Sequence, residues 1–129
     1  MRHDPLNDAI VSIKNHERKG KRQVSVTPSS RLLVEVLKVF QAEGFIDGFD
    51  VVDSPHGGDV TIHLTQRIND CGVIKPRYPV KADEYAQWEK QYLPARGFGV
   101  IVVTTPHGVM SHVKAEKENI GGRLIGYVY

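Results

Sequence analysis

The order of hydrophobic and polar positions predicts an αβαββ arrangement in the first half of the chain. Apolar residues recur at helical spacing in two stretches and alternate with polar residues in three others. The first predicted element is a helix that is capped by Asp4, has Pro5 in its first turn and ends by Gly20. A strand over Gln23–Val26 follows, and then a helix that begins at Ser29 or Ser30 and stops at Gly44. The last two elements are strands over Phe45–Val52 and Asp59–Leu64, joined by a turn over Ser54–Gly58. Residues 1–65 are therefore expected to form an N-terminal α/β lobe.

The second half is predicted to be mainly β, with short helices. It begins with an extended edge segment over Val73–Val80, interrupted by Pro76 and Pro79, and a helix over Asp83–Tyr92. Strands are predicted over Phe98–Val103, around Val109 and over Leu124–Tyr129. Between the last two of these strands lies a helix that is capped by Ser111 and ends near Gly121. Residues 66–129 are expected to form a C-terminal lobe. The predicted fold class is α+β, with two small lobes packed against each other.

Composition favours a folded protein of a reducing compartment. Hydrophobic residues make up 40% and charged residues 25% of the 129 residues. The single cysteine, Cys71, excludes an internal disulfide. No apolar run approaches the ~20 residues that cross a bilayer, and the N-terminus lacks the pattern of a secretory signal. We therefore expect a cytoplasmic protein with no membrane partner.

Net charge alone does not suggest a nucleic-acid partner, because it is only +2. The distribution of charge is more informative. Four of the seven residues from His16 to Arg22 are Lys or Arg, whereas acidic residues concentrate in Glu43–Asp53 and Asp83–Glu89. A segregated basic face can bind phosphate even when the total charge is near neutral.

The basic turn Arg18–Arg22 is the first candidate phosphate site. A helix N-terminus follows downstream, with hydroxyls from Thr27, Ser29 and Ser30 and a cation at Arg31. Uncapped amides and the positive end of a helix dipole favour an anion there. The alternatives are a solvated loop for the turn and a plain N-cap for Ser29 or Ser30.

The second candidate site is the stretch Thr104-Thr105-Pro106-His107-Gly108, which follows an apolar strand. Threonine hydroxyls both donate and accept hydrogen bonds, which suits the base edges and 2′-hydroxyls of irregular RNA. Gly108 would allow backbone to approach closely. The alternative is a structural turn at a strand end.

Three other features could extend this site. Gly121 and Gly122 could admit RNA backbone, with Arg123 as a charged contact, or could only stop a helix and start a strand. Arg77 and Arg96 each lie beside a proline, and each could contact phosphate or form a surface salt bridge.

The enzyme and metal interpretations find little support. One cysteine cannot make a zinc ribbon, and the six histidines are scattered. The chain has neither a phosphate-binding Walker motif nor a dinucleotide fingerprint. We expect no catalytic residue, no cofactor and no metal site.

Several sequence blocks, in order, resemble the small ribosomal subunit protein eight family. The signature Thr104-Thr105-Pro106-His107-Gly108-Val109-Met110, followed by Gly121-Gly122, is similar to the C-terminal signature of that family. The other blocks are Asp4–Ile10 with Ile13–Asn15, Lys19–Arg22, Pro28–Ser30, Cys71–Arg77 and Leu93–Arg96. The last two blocks look like the archaeal and eukaryotic branch, and the resemblance covers essentially all of the chain.

The resemblance implies a structural constituent of the small ribosomal subunit that binds the central domain of small-subunit rRNA early in assembly and helps to build the platform. Its partners would be small-subunit rRNA and neighbouring ribosomal proteins, and the protein would be a monomer within a cytoplasmic ribosome. The implied rRNA-binding residues are Asn15, Lys19, Lys21, Arg22, Thr27, Pro28, Ser29, Ser30, Arg31, Arg77, Arg96, Thr104, Thr105, Gly108, Val109, Gly121, Gly122 and Arg123. Pro106, His107 and the mixed charges of Lys114–Glu118 depart from the common family pattern.

Two other functions are compatible with the sequence. One is a free RNA-binding regulator of translation that binds its own messenger by mimicry of the rRNA site. The other is a protein–protein adaptor that uses the acidic hairpin Glu43–Asp53. Retention on washed subunits and sensitivity to nuclease would separate these functions from the ribosomal one.

Overall fold

The structure, a computed structural model, describes residues 5–27, 30–52 and 58–129. The chain divides into two compact units, Met1–Cys71 (unit 1) and Gly72–Tyr129 (unit 2). The sequence predicts the division after residue 65. Residues beyond that point stay with unit 1 because the amide of Ile68 donates to a Glu17 carboxylate oxygen (3.0 Å) and the Cys71 thiol donates to the Ile10 carbonyl (3.8 Å).

Unit 1 has the predicted αβαββ order, which confirms that part of the fold prediction. Its elements are α1 (Pro5–Arg18), β1 (Gln23–Val26), α2 (Arg31–Ala42), β2 (Ile46–Val52) and β3 (Asp59–Leu64). The strands form an antiparallel sheet in the order β1-β3-β2. The predicted cap Asp4, the alternative helix start Ser29 and the turn over 54–57 lie outside the described residues.

The core of unit 1 forms where the apolar stripes of its helices meet the sheet. Ile13 of α1 and Leu37 of α2 are fully buried, as are Val60 and Ile62 of β3. α1 contacts β1, α2 contacts β2, and the two helices touch each other. In each helix, the buried face is thus formed by apolar residues that recur at helical spacing.

Unit 2 is an antiparallel sheet with short helices, as predicted. Its elements are β4 (Cys71–Val73, whose first residue is the last of unit 1), β5 (Pro79–Val80), α3 (Tyr85–Tyr92), β6 (Val100–Thr105), β7 (Gly108–Ser111), α4 (His112–Lys117) and β8 (Gly122–Val128). The strand order is β4-β8-β6-β7, and β5 also pairs with β8. Of the predicted extended segment over Val73–Val80, only Val73, at the end of β4, and Pro79–Val80, which form β5, are strand.

Several element ends in unit 2 differ from prediction. α3 begins at Tyr85 instead of Asp83, and β8 spans Gly122–Val128 instead of Leu124–Tyr129. The strand predicted from Phe98 begins at Val100, because Gly97 and Gly99 have φ angles of 83° and 86° and turn the chain. The helix predicted to end near Gly121 ends at Lys117, because Asn119 adopts a left-handed φ of 55°.

Five aromatic rings form one continuous stack in unit 2. In order, the rings are Tyr78, Trp88, Tyr92, Tyr127 and Tyr129. Successive centroids are 5.2, 6.3, 5.6 and 6.1 Å apart, and interplanar angles range from 15° to 27°. This aromatic stack joins α3 to β8 with offset ring contacts, a geometry that stabilises beyond simple burial.

None of the helices in the described ranges is long and apolar enough to span a membrane.

Candidate nucleic-acid interface

The basic turn after α1 has a well-defined backbone and free side chains. The amide of Lys19 donates to the Asn15 carbonyl (3.2 Å), and the amide of Lys21 donates to the His16 carbonyl (2.9 Å). Gly20 closes the turn with a φ of 72°. The side chains of Asn15, Lys19 and Lys21 are exposed. Among the described residues, no carboxylate pairs with either lysine, so both cations can meet phosphate.

Thr27, which belongs to the other half of the predicted phosphate site, lies apart from this turn. Arg22 and Thr27 flank opposite ends of β1, and the five residue steps between them span about 17 Å. Arg31 is exposed in the first turn of α2. The sequence predicts the turn and the residues from Thr27 onward as parts of one site, whereas the turn and Thr27 lie at opposite ends of β1.

Two hydroxyls near the start of α2 already have partners in the protein. Ser30 Oγ accepts from the Leu33 amide (3.1 Å), so Ser30 is the N-cap of α2. Thr27 Oγ1 donates to Asp59 Oδ1 (2.6 Å). Pro28 and Ser29, also predicted to contact rRNA, lie outside the described residues.

Strand pairing in unit 2 aligns four residues in one row at the end of the sheet. Pro79 pairs with Arg123, Arg123 pairs with Thr104, and Thr104 pairs with Val109. Directly paired residues project from the same face of a sheet. We call Pro79, Arg123, Thr104 and Val109 the Thr104 row.

The Thr104 row faces away from the main core of unit 2. The chain neighbours of the row, Val103, Met110 and Leu124, are buried in that core. Because side chains alternate along a strand, the row projects from the opposite face. Arg123 is exposed, and Thr104 and Val109 are half-buried. The row therefore presents a hydroxyl, a guanidinium and a small apolar contact together.

Thr105, predicted to contact RNA alongside Thr104, has an internal role. Its hydroxyl donates to the Gly108 carbonyl (2.8 Å) and accepts from the His107 amide (3.1 Å). The residue is 9% exposed. These bonds close the two-residue turn Pro106–His107, so Thr105 holds the loop that carries Thr104 and the exposed Gly108.

The glycine pair is required by the protein's own strands. A Cβ on Gly121 would lie 2.6 Å from the Val80 carbonyl oxygen. A Cβ on Gly122 would lie 2.3 Å from the Thr104 carbonyl oxygen. Both distances are too short for a side chain. These contacts explain the pair without a ligand, and an additional role in admitting RNA backbone stays a prediction.

The structure places the two predicted arginines differently. Arg123 Nη1 donates to the Arg77 carbonyl (3.3 Å), which brings the exposed Arg77 beside the Thr104 row. Arg96 precedes β6, and Val100 and Thr104 within that strand are about 13 Å apart. Arg96 is therefore separated from the row along β6.

Pro79 joins the row although it is not among the residues predicted from the sequence to bind rRNA. Its position depends on the register of a two-residue strand, for which the sequence carries no signal.

His107 is an atypical residue in the signature, and its Nδ1 lies 3.8 Å from Glu118 Oε1. This exposed, long contact is too weak to fix the loop.

The pKa shifts found among the described residues result mainly from burial. Burial, followed by the charge of Asp70, raises the pKa of Cys71 to about 12, so its thiol is unreactive near neutral pH. Burial also raises the pKa of Tyr85 and of Tyr92. Within the described ranges, no three His, Cys, Asp or Glu residues are grouped to hold a metal ion.

Comparison with known proteins agrees with the sequence blocks and the two-unit α+β fold. A family model described as Ribosomal protein S8 matches residues 4–129. The chain is 49% identical over 129 residues to "Small ribosomal subunit protein uS8" of Thermoplasma volcanium, which covers 100% of both chains. It is 47% identical over 124 residues to the protein of that name from Methanoregula boonei, covering 96% of this chain and 95% of the relative. A third relative of that name, from Halobacterium salinarum, is 49% identical over 126 residues, which is 98% of this chain and 97% of its own. With full-length identity at this level and a matching family model, the chain belongs to the ribosomal protein S8 family.

Proposed function

We propose that this protein is a structural constituent of the small ribosomal subunit that binds small-subunit rRNA through the Thr104 row. The observation that carries the proposal is the pairing register of β7, β6, β8 and β5, which collects Val109, Thr104, Arg123 and Pro79 on one face. The names of the relatives support the ribosomal part of the proposal. Family resemblance supports the central domain of that rRNA as the target and the subunit platform as the structure it helps to assemble.

The chemistry of the row suits an RNA helix with an irregular segment. The Thr104 hydroxyl can donate to a base edge or accept from a 2′-hydroxyl. The guanidinium of Arg123, with exposed Arg77 beside it, can contact phosphate. Gly108 is exposed with a φ of 113°, and no atom lies within 4 Å of a Cβ built on it, so RNA can approach its backbone.

The basic turn of unit 1 is proposed to contact a second rRNA segment. Lys19, Lys21 and Arg22 are exposed cations, and Asn15 adds an exposed amide at the end of α1. Arg31 at the start of α2 is a separate candidate contact. Such side chains bind phosphate without reading sequence.

The remaining expectations follow from the proposed assembly. The protein would work in the cytoplasm within the small subunit, next to other ribosomal proteins, as one copy per subunit. The S8 family is a family of ribosomal proteins, a class that is generally non-enzymatic. We assign the chain no catalytic role and no cofactor.

Replacing Thr104 with alanine and Arg123 with glutamine together is expected to weaken binding to a central-domain rRNA fragment. The loss should be about 10- to 100-fold, since a polar base contact is worth about 1–3 kcal/mol. Binding should be measured against a scrambled RNA of equal length. Thr65→Ala is the matched control, because Thr65 is exposed and lies outside the row. Unchanged affinity of the double variant would refute the assignment of the row.

Replacing Lys19 and Lys21 with alanine is expected to weaken binding equally for all RNA sequences. Each released phosphate contact should reduce the slope of log affinity against log salt by about 0.7–0.9. Titrations at several salt concentrations measure this slope. Lys38→Ala is the control, because Lys38 is exposed and pairs with Glu35. If the slope of the double variant equals that of the wild type, the basic turn does not contact RNA.

A further inference from the structure

Phe98 is the most exposed of the large apolar side chains that the structure describes, at 65%. It lies in the turn before β6, between Gly97 and Gly99, whose φ angles are 83° and 86°. Scattered single apolar side chains on a surface are normal. Phe98 is different because its backbone is held in place and the segment just before it, from Leu93 to Arg96, lines a groove.

The turn that carries Phe98 is fixed at both ends. The Phe98 amide donates to the Ala95 carbonyl (3.1 Å). Gly99 packs so closely on β8 that a Cβ there would lie 2.4 Å from the Val128 carbonyl oxygen. On the other side, Leu93 is buried, and its amide donates to the Glu89 carbonyl (2.9 Å). The Phe98 ring is thus presented outward from a rigid turn.

A groove of about 420 Å³ runs along the same segment. Its apolar part is formed by Ala86 of α3 and by Leu93, Pro94 and Ala95, which lead into the turn. An exposed ring beside a small apolar groove can take part in reciprocal packing, with the ring as an anchor and the groove as a socket.

The charges of the groove favour a protein over RNA. Lys90 and Arg96 line it, and neither has an ion-pair partner among the described residues. Glu89 and exposed Glu116 also line it, and Glu89 accepts from His112 Nε2 (2.7 Å). A phosphate backbone that ran along the groove would meet Glu89 and Glu116 as well as the two cations and would leave the apolar floor uncovered, whereas a single carboxylate can be placed at Lys90 and Arg96 alone. A protein segment can pack an apolar side chain on this floor and pair a carboxylate with the two cations.

This surface is separate from the proposed RNA interface. The turn precedes the N-terminal end of β6, whereas Thr104 lies at the other end of that strand, and Val100 and Thr104 are about 13 Å apart. A contact at Phe98 therefore does not need the RNA that would bind the Thr104 row.

We propose that Phe98 and this groove form a docking surface for a neighbouring protein of the small subunit. The partner offers an apolar socket to Phe98, lays an apolar side chain over Ala86 and Leu93, and places a carboxylate against Lys90 and Arg96. This inference rests on the proposed function only in taking the partner to be a protein of the small subunit.

Site-specific photocrosslinking tests this docking surface. Phe98 is replaced by p-benzoylphenylalanine in cells that use the variant as their copy of this protein, and small subunits are purified and irradiated. We expect crosslinking to one protein chain, identified by mass spectrometry after nuclease digestion. The same residue at Gln87, which is exposed on α3 and does not line the groove, is the matched control and should give at least tenfold less of that product. Crosslinking to rRNA, or none from subunits that contain the variant, would overturn the proposal.

A charge-reversal variant checks the chemistry of the partner. Lys90→Glu with Arg96→Glu should reduce the protein crosslink from position 98 at least tenfold, because it places carboxylates against the partner's carboxylate. An unchanged yield would overturn the assigned acidic partner. Co-sedimentation of the unsubstituted protein with subunits is measured in parallel. Its failure would refute the ribosomal function itself, whereas co-sedimentation without the crosslink would refute only the docking surface.

Discussion

Replacing Gly122 with alanine is expected to lower the free energy of unfolding by about 3 kcal/mol, near the upper end for overpacking. The new methyl group would lie 2.3 Å from the Thr104 carbonyl oxygen and 3.1 Å from Thr105 Cγ2. Backbone atoms cannot rotate away as a side chain can, so β8 must shift relative to β6. The same shift separates Arg123 from Thr104, and affinity for the rRNA fragment should fall more than tenfold.

Urea unfolding followed by far-ultraviolet circular dichroism measures the first effect, and RNA titration measures the second. Gly48→Ala in β2 is the control. A Cβ at that position would have the end of the Gln41 side chain as its nearest neighbour, at 3.8 Å, and Gly48 does not have a positive φ. Its stability should change by less than 1 kcal/mol. If Gly122→Ala matched the wild type in both assays, the close contact between β8 and β6 would be wrong.

Replacing His112 with alanine is expected to cost about 3 kcal/mol of stability. The His112 side chain is almost fully buried between two partners. Its Nδ1 accepts from the Ile101 amide (3.0 Å), which leaves the proton on Nε2, and Nε2 donates to Glu89 Oε1 (2.7 Å). The substitution would leave a buried amide and a carboxylate without their partner, and would also open a cavity.

Two further variants separate the hydrogen bonds from the volume of the ring. His112→Phe fills the space but cannot accept from Ile101, so it should still cost about 1–3 kcal/mol. Glu89→Gln keeps an oxygen that accepts from Nε2 and should cost less than either histidine variant. Urea unfolding ranks the three variants. A His112→Phe variant as stable as the wild type would show that packing alone explains the burial of His112.

Local signals predicted most of the secondary structure. Pro5 marks the start of α1, and Ser30 and Ser111 cap α2 and α4 with the expected side-chain bonds. The sequence predicts Phe98 to be in a strand because it continues the apolar run up to Val103, and this prediction is wrong. A side chain at position 99 would clash with Val128 and Tyr129, which are distant in the sequence, so no local pattern reports this close contact.

The candidate site was predictable in its residue types but not in its arrangement. The pairing of Thr104 with Arg123 follows an irregularity in the β6–β8 ladder between Val102 and Val103, which the sequence does not reveal. Nor could sequence distinguish Thr104, which faces outward, from Thr105, which closes its own turn. The separation of Arg22 from Thr27 could have been predicted, because a strand over Gln23–Val26 places these two residues at its opposite ends.

The aromatic stack has a consequence for following this protein in solution. All five tyrosines and the single tryptophan of the chain fall between residues 78 and 129, within unit 2. Trp88 stacks directly on two of those tyrosines, so excitation absorbed by the tyrosines can pass to it, and its fluorescence emission reports on unit 2 alone. Circular dichroism of the backbone reports on both units. Denaturation curves from the two signals will coincide if the units unfold together, and a difference between them will measure the stability of each unit separately.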